Sequence, residues 1–348
     1  MRTEASGRPN LAAVAALAGV SRSTASLAFS GAGPVSEATR AKVLAAADQL
    51  GYAGPDPRAQ SLRRGRSGII GVVIEDRLRD AFVDPIMIAM LDGIADVAGT
   101  AGAGLLLLTD TGADRIDISS APMDAVILVG CSTRLDESVD VLRQRGMPIV
   151  AIEADVQSDV YSVGLDNRDA TATLARLLKS QGHERVAVVT LPIEDSKGEH
   201  ELPPDWETVS TSHTSLERLR GLRDIYPGFT GRVASGSTID SGRTAGLAVL
   251  ASVPRPTAVV AQSDLLAIGV IRAAEELGLD VPADLSVVGF DGIRIDEARP
   301  YDLTTIVQPA VAKGRAAAQA AIDMLEGAPA GRIDFESELH VGGTVGPA

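Results

Sequence analysis

Between residues 69 and 326 short aliphatic runs alternate with longer amphipathic stretches, and few architectures accept that alternation. Apolar, β-branched runs at 69–74, 105–108, 125–129, 149–152, 186–190, 258–261 and 285–289 predict strands. Helical spacing at 86–98, 135–145, 170–181, 215–225, 241–251, 265–277 and 311–326 predicts the helices between them. A strand that reads as a continuous apolar run is buried on both faces, which is the condition inside a parallel sheet covered by helices. The alternation therefore predicts an α/β body of doubly wound parallel sheets. It divides into two units, about 68–165 and 166–300, and a segment at 303–340 that crosses back between them. Open sheets of this kind take ligands in the crevice outside the carboxyl ends of their strands. Two facing units add a cleft and a hinge.

The first 66 residues follow different rules. They hold nine basic and four acidic side chains, a net +5, whereas the whole chain is −14. The remaining residues therefore carry −19. A basic head attracts phosphates, and an acidic body turns its own surface away from them. Leu11, Val14, Leu17 and Ala18 share one helix face after a capping residue, Asn10, and Gly19 ends that helix. Ser21 caps a second helix reaching about Phe29. Ser36 caps a third over 37–50, with Val43, Leu44, Ala47 and Leu50 inward and Gly51 after its end. Two short helices joined by a glycine turn, plus a third, make a three-helix helix-turn-helix head. The segment Gly54-Pro55-Asp56-Pro57 breaks regular structure, and Pro57 suits the first position of a short helix over 58–63. The expected organisation is a head at 1–53, a hinge at 54–67 and a body at 68–348.

LAAVAALAGVSRSTASLAFSG, VSEATRAKVLAAADQLGY and RAQSLRRGRSGIIGVV resemble the head and hinge of the LacI/GalR family of bacterial transcription regulators. YSVGLDNRDATATLARLLKSQGHERVAVVT, SLERLRGLRD, RPTAVVAQSDLLAIGVIRAAEELGLDVPADLSVVGFDGI and LTTIVQPAVAKGRAAAQAAIDML are similar to that family's periplasmic-binding-protein-like effector domain. The resemblance implies a homodimer that reads a pseudo-palindromic double-stranded operator, most often as a repressor. A small molecule in the cleft, most often a sugar, modulates operator affinity. It places base reading on Arg22, Ser23 and Leu27, with Ser21, Thr24 and Ser26 nearby and phosphates bound by Thr24 and Ser26. Arg22 can bond a guanine edge, and Leu27, standing where Arg is common, suits an apolar contact. In the hinge, Arg58 and Leu62 are assigned to DNA, Leu62 as a minor-groove wedge. Effector contacts carry over onto Asp166, Arg218, Ser263, Asp264 and Asp291. Each follows or faces the end of an apolar run, where carboxylates and a guanidinium can bond hydroxyls. Asp264 is equally well placed as a helix cap. Phe82 and Asp84 follow the first strand and are either cleft residues or plain loop residues.

Other chemistries find no support in the sequence. His183, His200, His213 and His340 lack metal-ligand spacing, and Cys131 is the single cysteine. Neither a metal nor a cofactor is expected. Gly71-Val72-Val73-Ile74-Glu75-Asp76 offers no dinucleotide fingerprint, and no nucleophile elbow or phosphate loop occurs, so the expectation is a binding protein and not an enzyme. No apolar run is long enough to span a membrane, and the start lacks a signal-peptide core, so a cytoplasmic location with no membrane partner is expected. Residues 191–213 form a long polar connection containing the only tryptophan, Trp206, open to reading as a lid or as a disordered loop. Residues 224–236 look shortened.

Overall fold

The computed structural model describes residues 10–348 apart from 31–32, 55–64, 75–77, 110–117, 131–135, 155–157, 195–197 and 295–299. Two compact units emerge, Met1–Ser67 and Gly68–Ala348.

The first unit has three helices, α1 (Leu11–Ala18), α2 (Arg22–Ser30) and α3 (Glu37–Gln49). Each begins where a side-chain oxygen takes an otherwise unpaired amide. Asn10 Oδ1 accepts from Ala13 N at 3.0 Å, Ser21 Oγ from Thr24 N at 3.0 Å, and Ser36 Oγ from Thr39 N at 3.2 Å. Gly19 and Gly51 follow α1 and α3 with φ of 68° and 63°, the left-handed conformation that lets the chain turn off a helix. Val14, Ala15, Ala25, Ala28, Val43, Ala46 and Ala47 form the core. Leu17 and Leu44, expected inward, are 48% and 46% exposed. The inward stripes are 11/14/15/18 and 43/46/47/50, so alanine at i+4 displaces the neighbouring leucine from the buried face. Arg58 and Leu62 lie outside the described residues.

The second unit is built on two sheets. In the first, β1 (Ile69–Ile74), β2 (Gly104–Thr109), β3 (Ala125–Val129), β4 (Ile149–Ile152) and β5 (Tyr161–Leu165) are joined by β12 (Arg332–Phe335) in the order β12-β5-β4-β3-β1-β2, all parallel. The second contains β6 (Val186–Thr190), β7 (His200–Glu201), β8 (Thr230–Val233), β9 (Ala258–Ala261), β10 (Ser286–Asp291), β11 (Thr304–Val307) and β13 (Glu338–His340). Its order is β13-β11-β10-β9-β6-β8-β7, with only the outermost strands antiparallel. Helices α4 (Pro85–Thr100), α5 (Asp136–Gln144) and α11 (Ala310–Leu325) serve the first sheet. The second is served by α6 (Asn167–Ser180), α7 (Trp206–Val209), α8 (His213–Ile225), α9 (Ile239–Leu250) and α10 (Asp264–Glu276). The chain crosses between sheets after β5, after β11 and after β12, so the last part of the body adds a strand to each.

Central strands are predominantly apolar and wholly buried, as in AVILV of β3 and VAVVT of β6. Each fully buried Leu or Ile contributes about 1.5–3 kcal/mol of apolar burial. The 191–213 connection is neither a lid nor a disordered loop in its described residues. β7 extends the sheet antiparallel to β8, and Trp206, 8% exposed, joins the core with its ring 6.2 Å from that of Phe229. The stretch at 224–236 that looked shortened contains β8. His183 follows α6 and anchors the C-terminal tail. Its Nε2 lies 2.9 Å from Ser286 Oγ and 3.0 Å from Gly346 O.

Helices α4 and α11 meet backbone to backbone. A Cβ on Gly93 would lie 2.2 Å from Val311 O, and one on Gly314 would lie 2.1 Å from Met90 O. Neither acceptor can swing away, since both are helix backbone. Gly93→Ala is therefore expected to destabilise the body by about 1–3 kcal/mol through overpacking. Urea denaturation of the variant checks this, and an unchanged midpoint would show that the helices separate freely.

Candidate functional site

On the head, α2 turns Arg22, Ser23 and Leu27 outward, with Thr24 and Ser26 half-buried behind them. Its inner face, Ala25 and Ala28, is in the core, so the helix presents one face to a partner. Ser21 is exposed, but its oxygen is occupied by the cap to Thr24 N and lies 2.7 Å from Ser23 Oγ. Arg22 is exposed, so its fork of donors can meet a partner's acceptors. Leu27 is 37% exposed in the middle of this polar face.

In the body, the strands of both sheets bring buried polar residues together at their carboxyl ends. Glu153 directly follows β4, Gln262 and Ser263 follow β9, Asp291 ends β10, and Gln308 follows β11. Three helices add Asn167, Arg218 and Lys313, on α6, α8 and α11. Arg218 is 3% exposed. Its Nε donates to Asn167 Oδ1 at 2.8 Å and its Nη1 to Gln262 O at 2.5 Å. The guanidinium lies 3.5 Å from the Phe290 ring centre, with Asp291 and Glu153 carboxylate oxygens at 3.8 and 4.0 Å. Asn167 Nδ2 donates to Glu153 Oε2 at 2.7 Å, and Gln308 Nε2 to Asp291 Oδ1 at 2.6 Å. The Lys313 ammonium donates both to Glu153 Oε1 and to Gln308 Oε1. The result is a closed ring of side chains: Lys313, Glu153, Asn167, Arg218, Asp291, Gln308 and back to Lys313.

Two members of the ring have unusual backbones. Glu153 has φ 54° and Asp291 φ 124°, a region that L-residues occupy at a cost of about 1–3 kcal/mol each. Such conformations persist where the surroundings hold them, and here both residues are pinned by buried bonds.

The remaining predicted residues divide. Asp264 was open to reading as a helix cap or a cleft residue. Ser263 is the cap, accepting from Leu266 N at 3.2 Å, and it also accepts from Ser237 Oγ at 3.0 Å. The Asp264 carboxylate instead accepts from Thr305 Oγ1 at 2.5 Å and from Ile293 N at 2.8 Å. Asp84 caps α4 through Ile86 N at 2.9 Å, and its charge still reaches Arg218 and Asp291. Asp166 accepts from Ser337 N at 3.1 Å, so it ties the last crossing to the start of α6. Phe82 ends a short 3-10 turn and is 59% exposed, outside this cluster. Glu153, Gln308 and Lys313 were not singled out from the sequence. Glu153 and Gln308 share the signal that found Asp291, a polar residue directly after an apolar strand, whereas Lys313 in the run AVAKGRAAA carries none.

Electrostatics set different states on the three carboxyls. Burial would raise Glu153, but the charges of Lys313 and Arg218 and the bonds from Asn167 and Lys313 outweigh it and hold it at about 2. Burial pushes Asp264 up to about 7 against its bonds from Thr305 and the backbone and the charge of Arg218. Burial also raises Asp291, with Asp264 and Asp84 adding to the effect and Arg218 and Gln308 opposing it. Burial draws Arg218 down, and the surrounding carboxylates resist. Three buried carboxyls thus face two buried cations, and burial disfavours the charged form of Asp264 and Asp291. The cluster brings carboxyl groups and a guanidinium together, a set matched to groups that both donate and accept.

Among the described residues no group of His, Cys, Asp and Glu is placed to hold a metal ion, and no single helix is long and apolar enough to cross a membrane. A separate pocket of about 590 Å³ lies away from the cleft, against Tyr226, Phe229 and Arg232, and contains none of the ring residues.

Residues 10–54 match the family described as bacterial regulatory proteins, lacI family. Residues 67–203 match periplasmic binding proteins and sugar binding domain of LacI family, and residues 175–345 a periplasmic binding protein-like domain. The chain is 30% identical over 361 residues to the HTH-type transcriptional regulator IpsA of Corynebacterium glutamicum, covering 97% of each chain. It is 31% identical over 323 residues to the HTH-type transcriptional repressor CytR of Escherichia coli, covering 90% of this chain and 89% of that one. Among solved structures it is similar to a complex of the transcriptional regulator CelR with cellobiose, at 25% identity and a TM-score of 0.67, covering 97% of this chain and 100% of that one.

Removing the centre of the ring strands its partners. Arg218→Ala is expected to cost about 3–5 kcal/mol, since it leaves buried charge uncompensated. By contrast, Arg315→Ala, which breaks an exposed pair with Asp96 at 2.8 Å, should cost under about 1 kcal/mol. Denaturant titration of the two variants side by side checks the contrast, and equal losses would show that the ring carries no special weight.

Proposed function

The chain belongs to the LacI family of bacterial regulatory proteins, and from that premise we propose that it is a repressor controlled by an uncharged polyhydroxyl ligand, a sugar or close relative. The observation that carries the ligand class is the composition of the cleft, where Glu153, Asp264 and Asp291 converge on Arg218. Sugar hydroxyls donate to carboxylates and accept from a guanidinium, so they suit such a set. The ionised Glu153 beside Arg218 opposes a phosphate or carboxylate ligand. The likeness to a cellobiose-bound regulator favours the same class.

In this reading the second helix of the head enters the major groove. Arg22 bonds a guanine edge, Leu27 makes an apolar base contact, and Ser23, Thr24 and Ser26 complete the surface, with Ser21 fixing the start of the helix. Arg58 and Leu62 of the hinge meet DNA as well, Leu62 as the wedge. Two copies form a homodimer and read the two halves of a pseudo-palindrome. Arg218, Asp264 and Asp291 bind the ligand, Ser263, Asp84 and Asp166 hold the elements around them, and Phe82 stacks at the cleft mouth. Ligand binding shifts the balance between arrangements of the two sheets and so changes operator affinity. The protein acts in the cytoplasm, where its DNA is, and performs no catalysis.

The DNA half is tested with the full chain and a random duplex pool. An inverted repeat should be enriched, and its affinity should fall linearly with salt on logarithmic axes. Arg22→Ala should then weaken that site by about 1–3 kcal/mol. Enrichment without salt dependence, or an unaffected Arg22→Ala, would sink the assignment.

The ligand half is tested by thermal melting with neutral mono- and disaccharides against their phosphate esters. At a hundredfold excess over its dissociation constant a ligand adds about 2.7 kcal/mol. A neutral sugar should raise the midpoint and its phosphate ester should not; the reverse pattern contradicts the charge argument.

A further inference from the structure

Lys313 is fully buried, with 0% exposure, in an alanine-rich helix where an apolar side chain would pack at no electrostatic cost. Taking an ammonium out of water costs several kcal/mol unless it is well paired. Its two partners stand at the ends of strands in different sheets. Glu153 follows β4 of the first sheet, and Gln308 follows β11 of the second. Each passes the contact on: Glu153 takes Asn167, which orients Arg218, and Gln308 donates to Asp291. The helix beneath Lys313 is itself fixed. Gly314, the next residue, lies against the backbone of α4 at Met90.

We propose that Lys313 is a positioning residue for the cleft. It does not meet the ligand. Acting through Glu153 and Gln308, it sets the spacing of the carboxyls and the guanidinium that the ligand meets, and it ties that spacing to α11 and the first sheet. This rests on the reading of the cleft as the ligand site.

The test uses the full chain with Lys313→Met, Glu153→Gln and the double variant, without ligand or operator. Hydrogen exchange in Lys313→Met should rise in segments of both sheets, around 153–154, 167–171, 291–293 and 305–309, while the α4 and α11 helices beyond residue 314 keep their protection. Its melting point should fall by roughly 5–10 °C. The double variant, with the pair made neutral, should melt above the sum of the two single losses and regain protection. Exchange that rises only beside residue 313, or additive losses in the cycle, would overturn the proposal, because Lys313 would then be a local packing residue. Should Lys313→Met not fold, the double variant and Glu153→Gln decide: equal exchange patterns in the two would overturn it, and restored protection in the double variant would support it. A flat response to neutral sugars alongside an intact coupling pattern would count against the ligand reading alone.

Discussion

The body of this protein depends on neutralising two cations that it places out of water. Arg218 and Lys313 are 3% and 0% exposed; Lys313 is held by acceptors from both sheets, and Arg218 by acceptors of the second sheet with the Glu153 carboxylate of the first at 4.0 Å. A buried pair of this kind is a weak source of net stability, since desolvation consumes most of the Coulomb gain. Its effect is on geometry. A carboxylate displaced from Glu153 or Asp291 leaves a charge without a partner, so arrangements that break the ring are penalised heavily while the correct one gains little. Two left-handed residues, Glu153 and Asp291, fit that picture, since the strain at φ 54° and 124° is tolerated where the bonds hold it.

The topology makes the ring possible. All the strand ends involved are carboxyl ends of parallel strands, which a doubly wound sheet gathers along one edge. The chain then crosses between sheets beside the ring: Asn167 opens α6 just after β5, and Gln308 precedes α11 just after β11. Members contributed at the crossings need little reach to touch the other sheet. Asp166 serves the third crossing in the same way, by accepting from Ser337 N. The cleft floor and the pivots between the sheets are therefore one structure.

Much of this was legible in the sequence, and what was not has definite causes. The head was readable because its determinants are local: caps at Asn10, Ser21 and Ser36 and turns at Gly19 and Gly51 each act within a few residues. Leu17 and Leu44 misled because alanines supply the buried stripe beside them. Central strands announced themselves as apolar runs, whereas β5 (YSVGL), β7 (HE), β8 (TGRV), β11 (TTIV), β12 (RIDF) and β13 (ELH) did not. All six lie at or next to sheet edges, where mixed polarity is tolerated. Asp291 and Arg218 could be found from their positions after or facing apolar runs. Lys313 could not, because its partner Glu153 is 160 positions away and nothing local asks for a lysine in an alanine helix.

The completeness of the ring also constrains how a ligand enters. Among the described residues none of its buried polar atoms is left without a partner. A hydroxyl therefore gains a place by taking over a bond that already exists. Such an exchange costs little for a group that both donates and accepts, because the displaced partner can bond the newcomer in turn. A group that only accepts, such as a phosphate, leaves carboxylates unanswered. Every bond open to exchange is also a bond between elements of different sheets, or one step from such a bond. On the proposed reading of the ring as the ligand site, occupancy of the cleft and the relation between the two sheets are coupled through the same bonds.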